Sequence, residues 1–169
     1  LVSLMFINNE IGNLLDIESQ KHSMKLIYSL AEDLKSDPEY VQRVQTLTLD
    51  NSRPLLGLKG THGLFGSDQW WDAIFSHRMK LKFVSGVITE TYYAGMDSDR
   101  RHNSYELVLD DGSTHHESFY ANDEAEKTLY ELGKAILAVY ALDELKNQGR
   151  DMYSRTPIEI AISNDVVPL

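Results

Sequence analysis

The spacing of apolar and polar positions along this chain changes character near residue 81. Before that point the period is helical. Met24, Ile27, Leu30, Ala31 and Leu34 recur every three or four residues, which predicts an amphipathic helix across Lys21 to Leu34. A second helix begins in "SDPEYVQRV", where Asp37 fits the N-cap and Pro38 the first helical position. Val41 and Val44 would continue its buried stripe. A third, shorter helix starts after Ser67, whose hydroxyl suits the cap and so turns to its own backbone rather than to a substrate. Trp70, Trp71, Ile74 and Phe75 then form one broad apolar face, because i, i+1, i+4 and i+5 are neighbours on a helix. The connector "GLKGTHGLFG" carries glycine at 57, 60, 63 and 66. It lacks the ending of a phosphate loop and the spacing of a dinucleotide fingerprint, so it reads as a flexible link.

From residue 81 the period becomes two. "LKFVSGVITETYYA" predicts a long strand with Gly86 at a bulge or bend. "GMDSDRRHN" is a polar loop. "SYELVLD" alternates Tyr105, Leu107 and Leu109, Asp111-Gly112 marks a hairpin, and "THHESFY" returns as the partner strand. Asp123 with Glu126 caps a helix with the face Ala125, Leu129 and Leu132, which Gly133 ends. Residues 134–142, "KAILAVYAL", fit a buried strand or a continued helix, and Gly133 favours the strand. Residues 143–156 read as a loop. "PIEIAIS" closes the pattern with Ile158, Ile160 and Ile162 alternating.

This order of elements resembles the OB fold, with "VSGVIT" similar to a glycine-bent first strand that serves two sheets. The expectation is an α+β protein: an N-terminal helical segment and connector, 1–80, packed on a small five-stranded OB-like antiparallel β-barrel, 81–169. Trp70 and Trp71 are then structural, docking the helical segment. The resemblance also implies a binding face at the middle strands and the loops beside them. That nominates Arg100 and Arg101 in one loop, Arg150 and Tyr153 in the other, and Tyr105 and Tyr120 between. Arginines beside aromatics would suit single-stranded nucleic acid.

Charge turns the expectation another way. The net charge is −10, and residues 81–169 hold 8 Lys and Arg against 16 Asp and Glu, a local balance of −8. Nucleic acid is therefore an unfavoured partner, since a binder of phosphate normally shows a basic footprint. Glu106, Asp110, Asp111 and Glu117 fall on the hairpin, with Glu124, Glu126 and Glu131 just after it. Such a surface favours a basic protein partner.

Candidate chemistry adds little. There is no cysteine, so disulfides and thiolate sites are excluded. "DSDRRHN" places Arg101 where a calcium loop needs an oxygen ligand. The adjacent His115 and His116 would point to opposite faces of a strand and cannot share a metal. His62 and His77 flank the tryptophan helix and could meet Asp72, yet no nucleophile, base and orienting group can be assembled. No cofactor and no catalytic residue is expected. The N-terminal stretch is a poor signal peptide and no segment approaches a membrane span, so the expected setting is the cytoplasm. The reading is a non-catalytic acidic binding module, an inhibitor or immunity-type protein for a basic partner such as a nuclease. Oligonucleotide or oligosaccharide binding through barrel loops is the second reading, and an enzyme of unknown reaction the third.

Overall fold

The computed structural model describes residues 13–96, 99–147, 149 and 152–168. Along the chain run β1 (Met24–Ser29), α1 (Leu30–Ser36), α2 (Pro38–Leu49), α3 (Asp68–Phe75), β2 (Lys80–Tyr92), β3 (Ser104–Leu109) and β4 (Thr114–Ser118). A 3-10 helix (Glu124–Leu129), β5 (Lys134–Glu144) and β6 (Tyr153–Val166) complete it. All six strands share one sheet in the order β1-β6-β5-β2-β3-β4.

The expected five-stranded barrel is overturned by that order. A sixth strand, β1, pairs antiparallel with β6, while β4 ends the other side, so the sheet stays open. The helix expected over Lys21 to Leu34 splits into β1 and α1. A register shift between Leu26 and Tyr28 leaves Ile27 and Tyr28 both buried. With Leu30 just beyond, two adjacent buried positions imitate helical spacing. Long-range partners hold the strand: the Asn122 amide accepts from Ser29 N–H at 2.7 Å and donates to Ser29 C=O at 3.0 Å.

Gly86 does not bend a strand between two sheets. β2 continues through it, and a Cβ there would lie 2.5 Å from the Val108 carbonyl oxygen, so glycine admits the close approach of β3. The expected helix after Asp123 is a 3-10 helix. The Asp123 carboxylate accepts from Ala125 N–H at 3.0 Å, two residues on, which tightens the turn. Strand β5 covers the segment that could have been helix, and β6 starts four residues ahead of Pro157.

Two compact units are distinguished. One gathers Leu30–Lys82 and Tyr140–Ile158. Here Asp37 caps α2 by accepting from Tyr40 N–H at 3.0 Å, although no residue of that helix is fully buried. Ser67 caps α3 by accepting from Trp70 N–H at 3.2 Å. Trp70 is completely buried, with its ring centroid 4.8 Å from Phe65 and 5.0 Å from Trp71. Its indole N–H donates at 2.9 Å to Asp143 Oδ2 on β5. Asp143 is itself buried, and its Oδ1 lacks a hydrogen-bond partner among the described residues. Burial raises the carboxyl pKa, opposed by the Trp70 hydrogen bond and the nearby His62. Asp72 meets Arg78 at 2.7 Å and neither histidine that flanks α3.

The second unit gathers Leu15–Ser29, Phe83–Val139 and the chain from Glu159 onward. Tyr28, Val84, Ile88, Leu107, Ile136, Ile160 and Ile162 are among its buried side chains. Tyr130 stacks against Phe119 (4.6 Å, 2°) and Tyr105 (5.1 Å, 19°), which lie 6.3 Å from each other. Its hydroxyl donates to the Tyr120 carbonyl at 2.6 Å, and burial pushes the phenol pKa far above its ordinary value.

Candidate functional site

The hairpin that builds the second unit's exposed surface is set locally. Gly112 sits at φ +83°, and the Asp111 carboxylate accepts from Ser113 N–H at 2.9 Å. Register then decides which side chains meet. Glu106 lies opposite His116 and Val108 opposite Thr114. Across the other ladder, Val87 lies opposite Val108 and Glu90 opposite Glu106. Opposed residues of an antiparallel pair share a face. One face of β2-β3-β4 therefore carries Val87, Glu90, Glu106, Val108, Thr114 and His116. The reverse face carries Ile88, Tyr105, Leu107 and His115, all buried.

The first face is open. Val108 keeps 39% and Phe83, at the β2 end of the same face, 53% of its surface accessible. A register shift between Ile88 and Glu90 turns Thr89 toward the same carboxylate, and its hydroxyl donates to Glu106 Oε1 at 3.0 Å. His116 Nε2 stands 3.5 Å from Glu106 Oε2, and Tyr92 OH lies 3.2 Å from His116 Nδ1. Glu90 has no hydrogen-bond or ion-pair partner among the described residues. Several other surface carboxylates are matched by cations: Glu126 by Lys25 at 2.8 Å, Glu124 by Lys127 at 2.9 Å and Glu144 by Lys59 at 3.6 Å.

The residues singled out from sequence do not form one cluster. Glu106 is on the open face, Glu117 opposes Tyr105 on the reverse face, and Asp110 and Asp111 belong to the turn. Tyr105 is fully buried and Tyr120 packs on Tyr28 at 5.0 Å. Arg101 is held by Asp99 at 2.6 Å, and Arg100 is exposed in the same loop. Tyr153 lies under the Lys80 ammonium at 5.6 Å. Arg150 lies outside the described residues, as does Asp97 of the loop compared with a calcium site. His115 and His116 do point to opposite faces, one buried and one exposed. Glu90 was missed. Its place depends on the register shift two residues after Gly86, for which the alternation of "VSGVITET" gives no signal.

On the reverse side of this unit a groove of about 790 Å³ is floored by Phe119 and Tyr130. Its rim alternates Asp99, Arg101, Glu124 and Lys127, which pair among themselves. No group of three or more His, Asp or Glu side chains among the described residues is placed to hold a metal ion. No helix there is long and apolar enough to cross a membrane.

Compared with known protein families, residues 24–163 match the family described as Immunity protein RhsI2. The match spans most of the chain. This chain belongs to the Immunity protein RhsI2 family. Membership implies a protein partner, a toxin. No curated protein matches the chain.

Proposed function

We propose that this immunity protein neutralises its toxin by direct, non-catalytic binding, and that the toxin surface it covers is cationic. The observation that carries the first part is the family match over residues 24–163. The second part is supported by the net charge of −10, because an acidic surface speeds encounter with a basic one and disfavours other partners. A toxin acting on nucleic acid would present such a surface, since it must itself attract phosphate. The encounter belongs in the cytoplasm, where such a substrate lies. The oligonucleotide reading loses its support, because it rested on a closed barrel and the sheet is open.

The test is protection. Cells expressing the partner toxin should survive when the chain is co-expressed and die without it. Survival that requires no physical complex, with the two proteins failing to co-purify at low salt, would contradict neutralisation by binding.

A further inference from the structure

We propose that the open face of β2-β3-β4 is the toxin-docking surface, with Glu90 and Glu106 as a two-carboxylate seat for one cationic side chain of the toxin. This rests on the functional reading above and names its site. Glu90 and Glu106 are direct cross-strand partners, a placement that brings Cβ atoms to about 5 Å and sets like charges against each other. Neither carboxylate has a lysine or arginine partner among the described residues. Glu106 is held from two sides by neutral or weakly basic groups, the Thr89 hydroxyl and the His116 ring. Glu90 has no partner there. The repulsion between the two carboxylates is left standing.

A cation between the two would remove that repulsion and complete both carboxylates. A guanidinium fits best, because its planar fork can give parallel N–H bonds to two acceptors. The flanks suit a protein partner. Val108 and Phe83, with the half-buried Val87, offer apolar surface on one side, and Tyr92 with His116 offers an aromatic wall on the other, ring centroids 6.0 Å apart. A charged centre ringed by apolar and aromatic groups is the arrangement in which a buried ion pair loses its water. Charge complementarity commits the occupant to a basic patch on the toxin. The turn carboxylates Asp110 and Asp111 stand at the edge, where they would act on the rate of encounter.

The experiment measures binding of the purified chain to its partner toxin, the one it protects cells against, over about 50 mM to about 500 mM salt. Three variants are compared with the wild type. Glu90→Gln removes one charge, Glu90→Lys with Glu106→Lys reverses the seat, and Glu32→Lys with Glu124→Lys reverses as much charge elsewhere. The seat reversal should weaken binding at least about 100-fold, with much of the loss persisting at high salt. The control pair should weaken it by no more than about threefold and lose that effect as salt rises. Glu90→Gln should weaken binding about tenfold while leaving the melting temperature unchanged or higher, since it relieves the like-charge pair. That split excludes simple misfolding. Wild-type binding with all three variants at wild-type strength overturns this inference alone. A wild-type chain that neither binds nor protects overturns the functional reading and this inference with it.

Discussion

Asp143 is a carboxylate whose folded environment favours its protonated form. Its burial raises the pKa above the ordinary 3.8, so the folded chain holds that proton more tightly than the unfolded chain. The stability contributed by the proton is complete below the unfolded value and is lost as pH rises through the raised one. Asp143→Asn keeps an acceptor for the Trp70 indole and removes the titration. The wild-type minus Asp143→Asn difference in unfolding free energy should therefore fall as pH rises above 3.8. A difference that rises over that range would reverse the sign. Replacing Trp70 by Phe keeps most of the buried ring but leaves Asp143 Oδ2 without its donor, at a cost of about 1–3 kcal/mol. Trp70→Ala adds a cavity and should cost about 3–5 kcal/mol, read from denaturant melts. At Gly86, an added Cβ would press on the Val108 carbonyl at 2.5 Å. Backbone cannot yield cheaply, so Gly86→Ala should cost about 1–3 kcal/mol.

Elements whose signals are local are the ones that can be read from the sequence. The caps at Asp37 and Ser67, the helices they open and the Asp111-Gly112 hairpin all follow from residues within four positions of each other. Strand β1 cannot be read that way, because its partner β6 lies more than 120 residues away and a register shift hides its alternation. Lys146 shows the same limit on a smaller scale. Taken alone it is a loop cation suited to phosphate. In the folded chain its ammonium donates to the carbonyls of Leu47 at 2.7 Å, Asp50 at 3.3 Å and Arg53 at 3.4 Å, at the C-terminal end of α2. A cation there complements the negative end of the helix dipole and gives a further donor to carbonyls that already accept from the N–H groups of Asp50, Arg53 and Leu56. Lys146→Met, which keeps the stem, should cost about 1–2 kcal/mol and increase hydrogen exchange in the last turn of α2. Unchanged exchange in that turn would show that the ammonium does not cap the helix.

For the whole molecule, the five strands after residue 80 were legible and their closure was not. A barrel and an open sheet contain the same alternating segments, and only the sixth strand, β1 on the edge of β6, distinguishes them. The functional site divides in the same manner. Net charge points to a basic partner before any fold is known, yet the hairpin carboxylates that look contiguous in sequence separate onto two faces and a turn. The pair that register brings together, Glu90 and Glu106, is 16 residues apart in the chain. The account stands or falls on a complex between this chain and a cationic toxin surface. Titration calorimetry of the purified chain with its purified partner toxin is the most direct measurement. The account predicts a saturable complex of nanomolar Kd or tighter, about −12 kcal/mol or beyond, that weakens as salt rises. Absence of heat and of complex at low salt, with both proteins folded, would contradict it.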